Sequence, residues 1–128
     1  MWTYDQSTGT LARNGKFIAR GYSGANIGKN NPDLEAKVAT GPIPRGNWRI
    51  GDTLSGEPEG GPYKSNPCGP YCLRLTAVGH KAHGRSAFLI HGDSAKRPGQ
   101  ASKGCIILPR NVRELIWNSG DRALVVVE

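Results

Sequence analysis

The sequence predicts a mainly β fold, a mixed sheet arranged as a sandwich or barrel with one short helix near the C-terminal end. Three observations favour this class. Glycine is plentiful (18 residues) and proline is not scarce (9 residues), which is typical of turn-rich β structure. Most apolar segments are short, and only one stretch has helical start and stop signals. A chain of 128 residues can bury one core but not two, so residues 1–128 are predicted to form a single domain.

The N-terminal part is predicted to be a β meander. Its strands are expected at residues 2–5, 10–13 and 16–22. Asn14-Gly15 between the last two is the strongest short hairpin signal in the chain and predicts a type I′ turn. Residues 24–36 are expected to be loop with one helical turn. The segment 41–44 is too rich in proline for a central strand and leads into a strand at 47–50.

The C-terminal part combines a long surface segment, strands and the one helix. Residues 51–70 are polar and rich in Gly and Pro, which favours a long loop. Strands are expected at 71–78, 87–90 and 124–127. Residues 109–118 are predicted to be helical, because Pro109 suits a first helical position and Gly120 lies just past the end. The apolar residues Val112, Leu115 and Ile116, with Trp117, would face the core.

The charge predicts an anionic partner or surface. Seventeen Lys and Arg against ten Asp and Glu give a formal charge of +7, which suits an acidic polymer such as a cell wall or a nucleic acid. The basic residues are scattered singly rather than clustered with aromatics, which argues against nucleic acid. The N-terminus has no signal-peptide pattern, and no run approaches the roughly 20 apolar residues of a membrane span. We therefore expect neither membrane insertion nor signal-dependent export.

His91 and Cys105 form a candidate catalytic pair. His91 ends the apolar run 87–90, and Cys105 directly precedes the apolar run 106–108. A thiol becomes a good nucleophile when a neighbouring imidazole takes its proton, and strand ends can hold the two groups in register. The alternative is that Cys105 is a small buried hydrophobe and that His91 merely ends a strand.

The residues before Cys105 add to this hypothesis. Gly104 would let a substrate approach closely, and the amides of Gly104 and Cys105 could stabilise an oxyanion. The hydroxyl of Ser102 could hydrogen-bond the catalytic pair or shape the turn.

The other two cysteines leave three alternatives open. Cys68 and Cys72 precede His80 and His83, but their spacing fits the usual zinc sites poorly. A local disulfide between Cys68 and Cys72 is the favoured interpretation, and two loop thiols are the third. We expect no metal and no cofactor.

The pattern Ile90-His91-Gly92 followed by Ser102-Lys103-Gly104-Cys105 resembles the signature of L,D-transpeptidases, which act on bacterial peptidoglycan. The segments 21–24, 30–32 and 41–46 resemble, more narrowly, the small L,D-transpeptidase-like effectors of bacterial type VI secretion systems. The resemblance covers nearly the whole chain. It departs from the general pattern at Lys103, which replaces a His, and at Ile107, which stands where cross-linking enzymes carry an Arg.

This resemblance implies an L,D-transpeptidase-type fold and an antibacterial function. Cys105 would attack a tetrapeptide stem and release or exchange its terminal D-alanine, giving L,D-carboxypeptidase and exchange activities. Tyr22, Gly92 and Lys103 would contact the substrate, and a backbone carbonyl rather than Asp93 would orient His91. An immunity protein and the secretion apparatus would be partners, with action in the periplasm of target bacteria. The alternatives are a cell-wall cysteine endopeptidase or amidase and a non-catalytic peptidoglycan-binding module.

Overall fold

A computed structural model describes residues 1–51 and 71–128 of the chain. Within these ranges there are nine strands and one α-helix. The elements are β1 (Trp2–Asp5), β2 (Thr10–Arg13), β3 (Lys16–Arg20), β4 (Tyr22–Ser23), β5 (Gly46–Ile50), β6 (Leu73–Val78), β7 (Leu89–His91), β8 (Ile106–Ile107), α1 (Arg110–Asn118) and β9 (Ala123–Val127). Single 3₁₀ turns occur at Asn26–Gly28, Pro32–Leu34 and Ala82–Gly84.

The strands form one mixed sheet in the order β3-β2-β1-β9-β5-β6-β7-β8-β4. Two neighbouring pairs, β1 with β9 and β7 with β8, are parallel, and the others are antiparallel. The two edge strands, β3 and β4, are separated in the chain by Gly21 alone, and the Gly21 amide donates to Gly9 O. The sheet therefore curls until its edges nearly meet. The predicted mainly β class is confirmed.

The N-terminal meander follows the prediction closely. β1 and β2 have the predicted bounds, and Asn14 and Gly15 both have the positive φ, +51° and +83°, that a type I′ turn requires. The single strand expected at 16–22 is instead divided at Gly21 into β3 and β4, which pair with different neighbours, β2 and β8.

Backbone conformation explains why two other strands start later than predicted. Tyr71 and Ala87 both have φ of +65°, outside the β region, so β6 begins at Leu73 and β7 at Leu89. The predicted long loop lies almost entirely outside the described residues. The helix begins at Arg110 with Pro109 as its N-terminal cap, one residue later than expected.

Helix α1 covers one side of the sheet through only part of its predicted apolar face. Val112 and Ile116 are buried, Trp117 packs partly against the core, and Leu115 is half exposed. The prediction was wrong for Leu115, because the buried arginine Arg113 takes up part of the inward face. No helix in the described part of the chain is long and apolar enough to cross a membrane.

Candidate active site

The two predicted catalytic residues lie at the parallel pair β7 and β8. Ile90 pairs with Ile106 and His91 pairs with Ile107, and the two isoleucines Ile90 and Ile106 point into the core. His91 is the last residue of β7, and Cys105 directly precedes β8. The pairing of the two strands thus brings the backbones of the two residues into neighbouring positions of the sheet.

The side chain of Cys105 is partly exposed and borders a cleft. Its Sγ lies 3.7 Å from the carbonyl oxygen of Ala87. The cleft measures about 380 Å³, and we call it the nucleophile cleft. Its lining residues are Val38, Ala39, Gly84, Arg85, Ser86, Ala87, Phe88, Lys103, Gly104 and Cys105. A substrate carbonyl entering this cleft would meet the sulfur directly.

His91 is buried and held in one orientation. Its Nδ1 lies 2.8 Å from Gly92 O, and since a carbonyl oxygen can only accept, Nδ1 carries the proton and Nε2 is the basic nitrogen. Burial and the nearby Arg113 guanidinium lower the pKa of His91 below its ordinary value. The side chain is 7% exposed. His91 is therefore a neutral imidazole at neutral pH, oriented by a backbone carbonyl rather than by Asp93, as the resemblance implied.

Gly92 makes room for the arginine that shapes this environment. A Cβ at Gly92 would lie 2.9 Å from Nη2 of Arg113, whose Nη1 donates to Tyr71 O. Gly92 also borders a second cleft, of about 450 Å³, which Arg113 and Tyr22 line as well. Its observed contacts orient His91 and accommodate Arg113, while the predicted contact with substrate stays a prediction.

Ser102 shapes the turn and has no hydrogen-bonding capacity left for the catalytic pair. Its Oγ accepts from the amides of Gly24 (2.9 Å) and Gly104 (3.1 Å) and donates to Cys105 O (2.6 Å). A serine hydroxyl offers one donor and two acceptor positions, so all three are used. The side chain is 1% exposed. Of the two predicted roles, the structure supports the one in which Ser102 shapes the turn before Cys105.

Hydrogen bonds hold both the amide and the carbonyl of Gly104. Its amide donates to Ser102 Oγ, and its carbonyl accepts from Ser23 Oγ at 2.9 Å. The expectation that the Gly104 amide stabilises an oxyanion is therefore wrong for this conformation, because that N–H is already used. The φ of +144° favours glycine, and a Cβ here would lie 2.5 Å from Nη2 of Arg85. The proximity that Gly104 permits is to Arg85.

Tyr22 restrains the loop between His91 and Cys105. Its hydroxyl donates to Asp93 Oδ1 (2.6 Å) and accepts from the Ala101 amide (2.9 Å), and the Lys29 ammonium lies over its ring. Burial and the Asp93 hydrogen bond raise the pKa of Tyr22 to about 12. Asp93 also accepts from the Gly99 amide. These contacts give the Tyr22 hydroxyl a structural role, and the predicted contact of Tyr22 with substrate stays a prediction.

Lys103 and Arg85 contribute positive charge to the nucleophile cleft. The Lys103 side chain is exposed and borders both this cleft and a neighbouring one lined by Lys29. Arg85 is half buried and was not predicted. A single arginine in the polar segment 81–86 carries no motif, so only its contacts identify it. Ser23 was not predicted either, because no motif marks its contact with the carbonyl of Gly104.

The residues of the weak zinc hypothesis have other partners. His80 Nε2 lies 2.9 Å from Asn47 O and its Nδ1 accepts from the Ala82 amide, while His83 Nε2 lies 3.2 Å from the Glu35 carboxylate. Cys72 is fully buried. Cys68, and with it the predicted disulfide, lies outside the described residues. Within those residues no group of three or more His, Cys, Asp or Glu side chains is placed to hold a metal ion.

Comparison with known families assigns the chain. Residues 18–127 match the model of the Tlde1 domain, which covers most of the sequence. This match supports assignment of the chain as a type VI secretion effector, a class of antibacterial toxin. The chain belongs to the Tlde1 domain family. No curated protein sequence matches it significantly.

Proposed function

We propose that this effector is an L,D-transpeptidase-like enzyme that acts on the tetrapeptide stems of peptidoglycan. Its reactions would be removal of the terminal D-alanine by water, as an L,D-carboxypeptidase, and replacement of that residue by a free D-amino acid. Either reaction depletes the tetrapeptide donors that a growing wall needs, which would make the domain toxic.

The observation that carries this proposal is the placement of His91 and Cys105. His91 ends β7 and Cys105 directly precedes the neighbouring strand β8, and the Gly92 carbonyl orients the imidazole with Nε2 as its base. Cysteine-dependent acyl transfer needs an oriented neutral imidazole and a thiol that a substrate can reach, and these features support the proposal.

The mechanism follows from these groups. His91 Nε2 takes the thiol proton, and Cys105 Sγ attacks the carbonyl carbon that follows the L-centre of diaminopimelate. The C–N bond to D-alanine then breaks, the imidazolium returns its proton to the leaving amine, and a thioester remains. Water or the amine of a D-amino acid attacks the thioester, His91 takes a proton from it, and the sulfur leaves and is reprotonated.

Stabilisation of the oxyanion would fall to the Cys105 amide. The Gly104 amide is bonded to Ser102, so the two-amide arrangement expected from the sequence is reduced to one main-chain donor in this conformation. Arg85 and Lys103, the charged side chains that line the nucleophile cleft besides Cys105, are cationic, and a developing negative charge is favoured beside them.

The charge of the cleft supports an acidic substrate. Arg85 and Lys103 border it, Lys29 lies at the neighbouring cleft, and the chain carries a formal charge of +7. Peptidoglycan stems carry free carboxylates, so a basic cleft favours their approach. The proposal includes action in the periplasm of target bacteria, delivery by the secretion apparatus and inhibition by a cognate immunity protein in the producing cell.

The test is mass spectrometry of purified tetrapeptide muropeptides incubated with the protein, with and without D-methionine. We expect loss of D-alanine in water and incorporation of D-methionine when it is added. Cys105→Ala and His91→Gln should lose both products. His83→Gln is the matched control, since His83 is a solvent-exposed histidine outside the cleft, and it should retain them.

Other outcomes would contradict the proposal in different ways. Unchanged stems with folded wild-type protein that still binds cell walls would indicate a binding module. Cleavage within the stem or at its junction with the glycan would indicate an endopeptidase or amidase. Expression in the periplasm gives a second check, because wild type and Cys105→Ala should differ in toxicity.

A further inference from the structure

Four main-chain carbonyls hold Arg85 beside residues 103 and 104, which directly precede Cys105. Nη1 donates to Glu35 O (2.6 Å) and Pro42 O (2.8 Å), and Nη2 donates to Gly41 O (3.0 Å) and Lys103 O (3.1 Å). The guanidinium also lies 5.1 Å from the ring centroid of Phe88. The cation is thereby fixed in position and orientation.

These partners hold the charge without neutralising it. In the described part of the chain, every hydrogen bond of the Arg85 guanidinium goes to a neutral carbonyl oxygen. The Glu35 carboxylate is directed elsewhere, to Arg45, Gln6 and His83. Burial of a cation is costly unless an anion or dipoles compensate it, and its unit charge acts strongly on any ionisable neighbour.

Of the residues that line the nucleophile cleft, Cys105 is the one whose side chain becomes an anion on losing a proton at accessible pH. Nη2 bonds the carbonyl of Lys103 and lies against Gly104, so the guanidinium is packed on the two residues that precede the cysteine. Both Arg85 and Cys105 line the same cleft. We propose that the Arg85 guanidinium is the fixed positive charge that stabilises the thiolate form of Cys105.

The electrostatics support this assignment. Burial lowers the pKa of Arg85, and the charges of the Cys105 sulfur and, after it, of the Glu35 carboxylate oppose that decrease. The favourable interaction is reciprocal, since a cation that gains from a nearby thiolate must stabilise that thiolate equally.

The positive charge of Arg85 affects the transfer of the thiol proton from Cys105 to His91. An ordinary thiol has a pKa near 8.5 and an ordinary imidazole near 6.5, so transfer of the proton to His91 is unfavourable by roughly 100-fold. Burial of His91 and its neighbour Arg113 increase this gap by lowering the pKa of the imidazole. A permanent charge beside the sulfur decreases it, and it does so without needing the imidazole to be protonated.

The experiment measures the ionisation of Cys105 directly and needs no substrate. The rate of alkylation by iodoacetamide is followed from pH 4 to pH 10, and mass spectrometry of the Cys105 peptide separates this site from the other cysteines. We expect a wild-type midpoint well below the ~8.5 of a free thiol. Arg85→Gln should raise the midpoint by about one unit or more, which slows alkylation roughly tenfold at pH 6.

Three further variants distinguish the charge from a purely structural contribution. Arg85→Lys keeps the charge but loses most of the carbonyl contacts. Its melting temperature should therefore fall, while its alkylation midpoint should stay close to that of wild type. His91→Gln should keep a low midpoint, because Arg85 remains. Lys81→Gln removes an exposed charge that lies outside the cleft and should leave the midpoint unchanged.

Two results would overturn the proposal even if Arg85→Gln does not fold. One is a wild-type midpoint at or above that of a free thiol. The other is a midpoint in His91→Gln that returns to the free-thiol value, which would make the imidazole the stabilising group. The inference rests on the proposed function only in taking Cys105 as the nucleophile. If the alkylation midpoint is lowered but the muropeptides stay unchanged, the inference about Arg85 therefore stands and the proposed substrate is rejected.

Discussion

The hydroxyl of Tyr22 donates to Asp93 Oδ1 across 2.6 Å, and this contact joins β4 to the loop that separates His91 from Cys105. Asp93 in turn accepts from the Ser94 and Gly99 amides. The Tyr22 hydroxyl also accepts from the Ala101 amide, just ahead of the buried Ser102. The Tyr22 hydroxyl therefore restrains both ends of the loop between His91 and Cys105.

Tyr22→Phe should loosen this loop while the core stays intact. We expect loss of stability of about 1 kcal/mol and faster amide hydrogen exchange at Ala101, since two hydrogen bonds disappear. Tyr4→Phe is the matched control. The Tyr4 hydroxyl is buried and has no hydrogen-bond partner among the described residues, so its removal should leave stability unchanged or higher. Equal exchange at Ala101 in wild type and Tyr22→Phe would contradict this account.

Gly104→Ala should be far more harmful than an alanine at another glycine of positive φ. At Gly104 the new methyl group meets Arg85 and Phe88, whereas Gly79, with φ of +77°, has open space around its Cβ position. Gly79→Ala should cost about 1–2 kcal/mol from backbone strain alone. Gly104→Ala adds a steric clash, so we expect a clearly lower melting temperature and loss of muropeptide turnover. Comparable stability of the two variants would refute the clash.

Ser102→Ala should destabilise the protein and misplace Cys105. The substitution leaves the buried amides of Gly24 and Gly104 without their acceptor, which we expect to cost about 2–4 kcal/mol. Urea unfolding gives the magnitude. The control is Ser94→Ala, in which a loop serine loses its hydrogen bond from the Arg97 amide. That change should cost less than 1 kcal/mol, or about half of the Ser102 effect at most.

The pH dependence of the reaction should follow the lowered pKa of His91. A protonated imidazole cannot accept the thiol proton, so activity falls as pH decreases through the pKa of His91, which lies below 6.5. Activity should therefore persist at pH 6.5 and fall only in more acidic solution. NMR titration of the His91 ring gives this pKa without substrate. Arg113→Gln should raise it, and an unchanged titration would show that Arg113 has no influence.

Glu35 should make the fold sensitive to acid. Burial alone would raise the pKa of this carboxyl, but hydrogen bonds from Arg45 outweigh that effect and lower it from 4.5 to about 2. A carboxyl with a lowered folded-state pKa contributes stability above its unfolded-state pKa, and the contribution is lost as pH falls from about 4.5 towards 2. Thermal unfolding should show this slope in wild type. It should be flatter in Glu35→Gln and preserved in Glu114→Gln, whose carboxylate forms a surface pair with Arg110.

Local signals made much of the fold predictable. Alternation and the Asn-Gly turn fixed the N-terminal hairpin, and proline and glycine marked the ends of the helix. The strand breaks at Tyr71 and Ala87 were not predictable, because positive φ in residues other than glycine is set by tertiary packing. The exposed Leu115 was missed because a sequence pattern does not show which polar residue is buried beside it.

The site divides in the same way. The positions of His91 and Cys105 at the ends of neighbouring strands were predictable, because apolar runs lie directly beside them in the sequence. The supporting residues were not, because Arg85, Ser23 and Arg113 act through contacts with backbone atoms far away in the sequence. The oxyanion expectation for Gly104 was wrong for a related reason, since the acceptor that uses its amide is visible only in three dimensions.

The position of β9 has a consequence for how the domain folds. This strand comes last in the sequence, yet it lies in the interior of the sheet, parallel to β1 and antiparallel to β5. Until residues 123–127 are synthesised, the N-terminal meander and the half of the sheet that carries His91 and Cys105 share no hydrogen-bonded strand. Such distant pairing favours slow, cooperative folding. The sheet is thus completed only when β9 joins its two parts.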